Sequence, residues 1–274
     1  MPYCGRVGAD AESPGGMPRA IAKRGYEQAL WSRVALQRWT EARHRGQRPR
    51  EMPQPTAPTA VLQSATECRQ AAAEGRRLRL PLHPDRQKNW DALGALSAVL
   101  RSTTSADLVI DAGSARYSPL LPWLRLYGYE RLLGLNLEFG RLVRHQGVEF
   151  RYGDVTATGL APGSVAAVTC LSVIEHGVPV TSFLQESARI LRPNGVLVIS
   201  TDYDQSPPDA RGKSAYGQPV HIFSPEEIVQ LTQAAEQFGL RLRGSFEPVH
   251  AERPVHWKRQ GLHYTCVLLT FDRL

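Results

Sequence analysis

Short apolar runs alternate with amphipathic segments of helical length over residues 107–274, and the first 90 residues follow a looser pattern. Four apolar runs are typical of buried strands: DLVIDAG from residue 107, RLLGLNL from 131, SVAAVTCLSV from 164 and GVLVIST from 195. Segments of helical length separate most of these runs. The alternation predicts a Rossmann-like, doubly wound α/β fold, in which helices cover both faces of a mostly parallel sheet.

The last two apolar runs differ, because no helical segment lies between them. They are LRLRGSFEPV from residue 240 and LHYTCVLLTF from residue 262. Two neighbouring strands without a crossover pair antiparallel. We therefore expect a C-terminal antiparallel hairpin at the edge of the sheet.

The N-terminal 90 residues predict a helical extension. Tyr26, Leu30 and Val34 recur at four-residue steps, and Trp31 and Trp39 lie on the adjacent stripe, a pattern typical of an amphipathic helix. A proline-rich linker follows at about 46–60, then helices at about 61–77 and after residue 84. We predict an extension over 1–90 and a main domain over 91–274. The two tryptophans need an apolar partner, which either the main domain or a second copy of the chain would supply, the latter giving a homodimer.

Composition narrows the class of protein. With 274 residues and 42% apolar content, the chain can bury one α/β core and an appendage. No apolar run is long enough to cross a bilayer, and the first residues lack the apolar stretch of a secretory signal, so a cytoplasmic protein without a membrane partner is expected. The four cysteines lie far apart, which predicts reduced thiols and no zinc site.

The net charge of +7 belongs to the extension. Residues 1–90 hold 16 Lys/Arg and 8 Asp/Glu, whereas residues 91–274 hold 17 and 18. Scattered arginines on helices usually form a solvated face, and we favour this interpretation over a nucleic-acid clamp. Nucleic acid stays the less favoured partner.

The turn after the first strand of the main domain carries the first chemical signal. A dinucleotide site needs glycines at G-x-G-x-x-G, so that a pyrophosphate can lie against backbone N–H groups. Here the strand ends at Asp111, and the turn continues with Gly113, Ser114 and Ala115. A carboxylate repels a pyrophosphate but suits a ligand with an ammonium group and no phosphate. An Asp-capped turn without a ligand is the alternative.

Polar residues also follow the next strands. Asn136 comes twenty-five residues after Asp111, where a ribose-binding residue would lie, and Glu138 could replace it if the turn is offset. Asp154 follows a third short strand, where its carboxylate could accept from an adenine amine. Glu175 and His176 follow the fourth strand, and ligands of open α/β sheets bind at these carboxyl ends.

Taken together, these stretches resemble the class I S-adenosylmethionine-dependent methyltransferases. The resemblance spans about residues 107–274 and rests on the DAGS turn, the GD pair at 153–154, SVIEHG and ARILRPNGVLVIST. It extends more weakly to small-molecule methyltransferases of saccharide and natural-product pathways. Two departures are Ala115, where the family has its second turn glycine, and Asn136, where it has an acid.

The resemblance implies S-adenosylmethionine as cofactor, S-adenosylhomocysteine as product and a small polar acceptor methylated on oxygen or nitrogen. The turn residues would contact the methionine part, Asn136 the ribose, and Asp154 with Val155 the adenine. The implied cofactor-binding residues are Asp111, Ala112, Gly113, Ser114, Asn136, Leu137, Asp154, Val155, Leu171 and Ser172.

Acceptor chemistry is assigned to the ends of the fourth and fifth strands. The methyl group is already activated, so positioning supplies most of the rate, and a base removes the acceptor proton. His176 is the first candidate base, because histidine titrates near neutral pH. The loop over residues 202–223 is predicted to form an acceptor-binding lid. It adds Asp202 and His221 as catalytic candidates, and the predicted substrate contacts are Glu175, Tyr203, Asp204 and Tyr216.

Three alternatives stay open at this point. No metal site is assigned, although Asp202, Asp204 and His221 form a less favoured metal-ligand set. The chain could be an RNA methyltransferase that uses its arginine-rich extension as a clamp. It could also be a non-catalytic partner subunit that keeps the fold without cofactor binding, as Ala115 and Asn136 suggest.

Overall fold

The computed structural model describes residues 16–43, 50–215 and 217–274. In this part of the chain the helices are α1 (Gly16–Arg43), α2 (Ala65–Arg77), α3 (Gln87–Ser102), α4 (Leu120–Leu126), a short 3₁₀ helix (Ile174–His176), α5 (Val180–Ile190) and α6 (Pro225–Gln237). The strands are β1 (Ala60–Val61), β2 (Leu108–Ala112), β3 (Arg131–Asn136), β4 (Val143–His145), β5 (Val148–Tyr152), β6 (Val165–Leu171), β7 (Leu191–Tyr203), β8 (Ser214–Ala215), β9 (Gln218–Pro219), β10 (Leu240–Leu242), β11 (Val255–Trp257) and β12 (Leu262–Arg273).

One large sheet has the order β1-β12-β7-β6-β2-β3-β5-β4. Strands β7, β6, β2, β3 and β5 are parallel to one another. Buried side chains form one core under α1 to α4 and another that includes α5 and α6, so helices cover both faces. Six successive residues of β6 are buried, as expected for a strand covered on both sides. The Rossmann-like α/β prediction is confirmed.

The C-terminal hairpin is antiparallel and lies at the edge of the sheet, as predicted. One side of β12 pairs with β7, from Thr265 opposite Tyr203 onward. Its other side pairs with the outer strand β10, where Leu240 lies opposite Arg273. Strand β1, which comes from the N-terminal extension, pairs with the same side of β12 at Leu268 and Val267. This second outer partner was not predicted, because it is a two-residue strand from a distant part of the chain.

Helix α1 packs against the main domain through Trp31. This side chain is 1% exposed, and its indole N–H donates to the Arg116 carbonyl at 3.0 Å. Its ring lies edge-on to Phe150, with centroids 6.2 Å apart. Trp39 is 54% exposed, and the Arg43 guanidinium lies over its ring. The main domain is therefore the partner of the first tryptophan, and a homodimer through these helices stays a prediction.

The rest of the extension also joins the core. Helix α2 packs on α3, and β1 belongs to the sheet, so residues 60–90 share a core with the main domain. The domain boundary at 90 stays a prediction. Some arginines of the extension pair within the chain, including Arg50 with Glu41 and Arg77 with Glu74. These pairs favour a structural role for part of the positive charge. Among the described helices, none is long and apolar enough to span a membrane.

Candidate active site

A cavity of about 750 Å³ opens at the carboxyl ends of β2, β3, β6 and β7. The sheet order places β2 between β3 and β6. Successive strands are therefore added on one side of β2 and then on the other, which leaves a crevice between the neighbouring turns. All ten residues predicted to bind a cofactor line this cavity: Asp111, Ala112, Gly113, Ser114, Asn136, Leu137, Asp154, Val155, Leu171 and Ser172. The structure brings these ten residues together around one cavity, and their binding roles stay predictions.

Gly113 makes the tight turn after β2. Its φ is +82°, in the left-handed region that favours glycine. Its N–H donates to the Leu135 carbonyl at 2.7 Å, which ties the turn to the neighbouring strand β3. A Cβ atom at this position would lie 2.4 Å from a methyl group of Val173. The backbone therefore approaches β3 and the turn after β6 more closely than any other residue permits.

Asp111 is the penultimate residue of β2 and is buried beneath this turn. Its Oδ1 accepts from the Thr169 hydroxyl at 2.7 Å, and the side chain is 3% exposed. Burial raises the pKa of this carboxyl to about 6. Among the described residues its hydrogen-bond partners are hydroxyl groups, and no basic side chain forms an ion pair with it. A cationic ligand group in the cavity would stabilise the ionised carboxylate.

Asn136 holds the turn together. Its Nδ2 donates to the carbonyls of Gly113 and Ser114, both at 3.1 Å, and its Oδ1 accepts from the Glu138 N–H at 2.9 Å. The amide is therefore engaged with backbone groups on both sides. Glu138, which the sequence left open as the alternative to Asn136, lines this part of the cavity with an ionisable carboxylate. Its carboxylate lies 3.6 Å from the Lys23 ammonium of α1.

Asp154 and its neighbours form the far wall. The Asp154 carboxylate accepts from the Thr156 N–H at 2.8 Å and from its hydroxyl at 2.7 Å, which fixes the side chain at the cavity rim. Val155, Leu171 and Leu137 add apolar surface to the same cavity. A polar group beside apolar walls suits a heterocyclic base that carries an amine.

Three buried carboxylates meet at the inner end of the cavity, each from a different element. Asp91 comes from α3, Glu175 from the 3₁₀ helix and Asp202 from β7, and each is less than 10% exposed. Lys88 lies one helical turn before Asp91 and lines the same cavity. Burial opposes its charge, but the three carboxylates outweigh burial and raise the pKa of Lys88.

The carboxylates have different hydrogen-bond partners. Asp91 accepts from the Ser200 hydroxyl at 2.9 Å and from the Ala92 N–H at 2.7 Å. Glu175 accepts from the Thr201 hydroxyl at 3.0 Å, and burial together with the charge of Asp202 raises its pKa to about 8.

Asp202 and Tyr264 form the remaining polar contact of this group. Tyr264, from β12, is hydrogen-bonded to Asp202 through its hydroxyl. Burial raises the pKa of Asp202 to about 6, and burial together with the Asp202 charge raises the pKa of the Tyr264 phenol far above its usual range.

His176 lines the cavity as the sequence predicted, but its environment changes its chemistry. Burial and the nearby Lys88 charge lower the pKa of His176 to about 4. The imidazole is therefore neutral at physiological pH and takes up a proton weakly. The predicted position agrees with the structure, whereas the expected pKa near neutrality was wrong because the ring is removed from water.

Two further predicted substrate contacts, Tyr203 and Asp204, lie away from the cavity. Because successive strand residues face opposite sides of the sheet, Asp202 faces the cavity and Tyr203 packs in the core, where its hydroxyl donates to the Pro248 carbonyl at 2.5 Å. Asp204 is fully buried and binds the Arg253 guanidinium at 2.7 and 2.8 Å. Tyr216 lies outside the described residues.

His221 was predicted to be catalytic, but it lines a separate cleft, and its Nε2 lies 3.0 Å from a carboxylate oxygen of Glu227. Consequently Asp202, Asp204 and His221 do not form a metal-ligand set. Among the described residues of the predicted lid loop after Asp204, Gln218 at the start of β9 lines the cavity.

Sequence reasoning missed Lys88, Asp91 and Tyr264. Lys88 and Asp91 are three residues apart on a predicted helix, so their shared face was a usable signal. Tyr264 had none, because its place beside Asp202 depends on the pairing of β12 with β7.

A family model described as a methyltransferase domain matches residues 110–199. The matched range contains all ten predicted cofactor-binding residues, and also Glu175 and His176. In the class that this domain represents, S-adenosylmethionine is the methyl donor.

Two curated relatives match parts of the chain. A ubiquinone biosynthesis O-methyltransferase from Cupriavidus pinatubonensis is 40% identical over 58 residues, which are 20% of this chain and 23% of that protein. A probable S-adenosylmethionine-dependent methyltransferase from Mycolicibacterium smegmatis is 27% identical over 126 residues, 44% of this chain and 47% of that protein. The chain thus spans less than half the length of either relative.

A solved structure with the same fold is geranyl diphosphate C-methyltransferase from Streptomyces coelicolor, in complex with S-adenosyl-L-homocysteine. The TM-score is 0.51 at 16% identity, over 91% of this chain and 98% of that one. At this identity the likeness shows the fold alone.

Proposed function

Because the chain carries the domain of the class I S-adenosylmethionine-dependent methyltransferases, we propose that it transfers a methyl group to a nitrogen or oxygen atom of a small polar acceptor. The observation that carries this proposal is the continuity of one cavity. Its outer part is lined by the residues of the predicted cofactor site, and its inner part holds buried groups that can accept a proton. Cofactor and acceptor can therefore meet in one partly enclosed space.

The residues around the outer part fit S-adenosylmethionine. We assign the buried carboxylate of Asp111 to the ammonium group, Glu138 to the ribose hydroxyls, and Asp154 with Val155 to the adenine, because all four residues line the cavity. Bound there, the cofactor supplies a methyl group already activated on a sulfonium. The protein's part is to hold the acceptor in line and to remove its proton.

Charge at the inner end restricts the acceptor. Three buried carboxylates face one lysine, so an anionic acceptor would meet net repulsion in a site of low dielectric. A neutral or cationic molecule is favoured, such as a sugar or an amine. Trp257 and His256 of β11 add aromatic surface that can cover the apolar part of such a molecule.

The proposal is tested by incubating the protein with methyl-labelled S-adenosylmethionine and a panel of amines, aminoglycosides, sugars and phenols. We expect label on at least one neutral or cationic acceptor, together with S-adenosylhomocysteine. The Asp111→Asn variant should lose most of this transfer. A protein that binds the cofactor but labels none of these acceptors would contradict the proposal.

Glu138 and Lys23 provide a separate prediction about cofactor affinity. Glu138→Gln is expected to weaken S-adenosylhomocysteine binding about tenfold, because it removes a charged acceptor for the ribose hydroxyls. Lys23→Gln is expected to strengthen binding by up to about fivefold, because Glu138 then loses an exposed competing ion pair. Calorimetric titration measures both, and the exposed neighbour Arg24→Gln is the control. Unchanged affinity in Glu138→Gln would assign the ribose to other groups.

A further inference from the structure

The inner carboxylates are not equivalent, and their partners suggest separate roles. Asp91 is engaged by the Ser200 hydroxyl and the Ala92 N–H, with the Ser172 hydroxyl at 3.5 Å. These contacts join α3 to the ends of β6 and β7 and occupy much of its capacity to accept hydrogen bonds. Asp91 is therefore a structural carboxylate.

Glu175 and Asp202 keep more of their accepting capacity. Glu175 accepts from the Thr201 hydroxyl and from its own backbone N–H, and Asp202 accepts from the Tyr264 hydroxyl. Both line the cavity beside Leu171 and Ser172, which belong to the predicted cofactor wall. They are therefore the buried carboxylates best placed to receive a proton from an acceptor.

The backbone holds Glu175 in place. Ser172 has a φ of +53°, in the left-handed region that serine rarely adopts. Its N–H donates to the Ser200 carbonyl at 2.9 Å and lies 3.1 Å from the Ser200 hydroxyl. This turn starts the segment that leads into the 3₁₀ helix carrying Glu175, so the carboxylate is positioned by contacts with β7.

We propose that Glu175 and Asp202 together form the base that takes the acceptor proton, and that Lys88 is the positioning residue whose charge favours the ionised form of this pair. The inference rests on the proposed methyl transfer. Two neighbouring buried carboxylates repel each other, which opposes their ionisation, and a nearby cation lowers that cost. Lys88 supplies that cation from α3, and its charge acts on both.

The proton transfer balances with methyl transfer as follows. The acceptor atom forms a bond to the methyl carbon, the carbon–sulfur bond breaks with its electron pair left on sulfur, and the N–H or O–H proton moves to a carboxylate oxygen of Glu175 or Asp202. The raised pKa of about 8 at Glu175 suits this role, since a base works best when its pKa lies near the operating pH. His176, with a pKa near 4, suits it less.

Titratable groups from several elements surround the pair. On the inner side they are Asp91, His176, Cys266, Tyr264 and Lys88 itself. Toward the opening, His83 and Tyr117 interact with Lys88. Lys88 is the basic residue among these that acts directly on both Glu175 and Asp202 to favour their ionised forms.

The first test follows carboxyl titration by ¹³C NMR in protein saturated with S-adenosylhomocysteine, with Glu175→Gln and Asp202→Asn used to assign the signals. Lys88→Met is expected to move both titrations upward by about one pH unit, the size of a nearby charge effect. Lys88→Arg keeps the charge and should leave them near their wild-type values. Titrations that do not move in Lys88→Met would overturn the role of Lys88.

The second test measures single-turnover methyl transfer against pH, with the first molecule of the acceptor panel that takes up label. Glu175→Gln and Asp202→Asn should each slow transfer about 100-fold with unchanged S-adenosylhomocysteine affinity. In Lys88→Met, the pH at which the transfer rate rises should be higher than in the wild-type protein. Wild-type rates in both carboxylate variants would overturn the base while leaving the proposed function intact. Wild-type protein that methylates no acceptor would overturn both, and the NMR titration would still report on Lys88.

Discussion

Gly113→Ala is expected to abolish S-adenosylmethionine binding and to lower the free energy of unfolding by about 2–5 kcal/mol. A left-handed φ costs an alanine about 1–2 kcal/mol, and overpacking a filled space costs about 1–3 kcal/mol more. The added methyl group would lie 2.4 Å from Val173, so the turns after β2 and β6 must separate. The first turn directly follows the β2 end that carries Asp111, and the second leads to Glu175, so both ends of the cavity would be disturbed. Urea unfolding and calorimetric titration with S-adenosylhomocysteine measure the two effects.

Gly128→Ala is the matched control for this substitution. Gly128 has a similar φ of +89°, but nothing lies within 4 Å of a Cβ built there. It should show only the backbone cost, about 1–2 kcal/mol, with cofactor affinity unchanged. Equal behaviour of the two variants, with binding kept in both, would show that the close approach at Gly113 does not shape the cofactor site.

Trp31→Ala is expected to destabilise the protein by about 3–5 kcal/mol, as is usual for a fully buried aromatic side chain. The substitution removes the hydrogen bond to the Arg116 carbonyl and the contact with Phe150, which fasten α1 to the main domain. Denaturant unfolding measures the loss, and limited proteolysis should then cleave within α1.

Trp39→Ala tests whether this loss is specific to the buried ring. Trp39 lies on the same helix, is mostly exposed and contacts the Arg43 guanidinium, so its removal should change stability by less than about 1 kcal/mol. If Trp31→Ala were as stable as Trp39→Ala, the packing of α1 described above would be wrong.

The sequence predicted which residues come together around the outer part of the cavity, and the reason is physical. Buried parallel strands are visible as apolar runs, and their carboxyl ends meet at one edge of the sheet. Residues that follow β2, β3, β5 and β6 therefore had to converge, and the ten predicted side chains line one cavity. The part played by Asn136 was not predictable, because its amide could serve a ligand or the backbone, and only the folded turn brings the two carbonyls within reach.

The inner part of the site could not be predicted, because it is formed by contacts that no local sequence pattern reveals. The register of β7 decides which of Asp202, Tyr203 and Asp204 face the cavity. A register shifted by one residue would reverse that choice. Lys88 and Tyr264 reach Asp202 from α3 and β12, which lie far apart along the chain. The low pKa of His176 likewise follows from burial, which composition and spacing do not report.

The central claim is that the cavity beside Asp111 binds S-adenosylmethionine. Calorimetric titration of the full chain with S-adenosylhomocysteine tests it most directly, because binding of the product needs no acceptor. We expect saturable binding of one S-adenosylhomocysteine molecule per chain. Absence of binding heat at millimolar ligand across several temperatures would contradict it and would favour a partner subunit that keeps the fold without the cofactor.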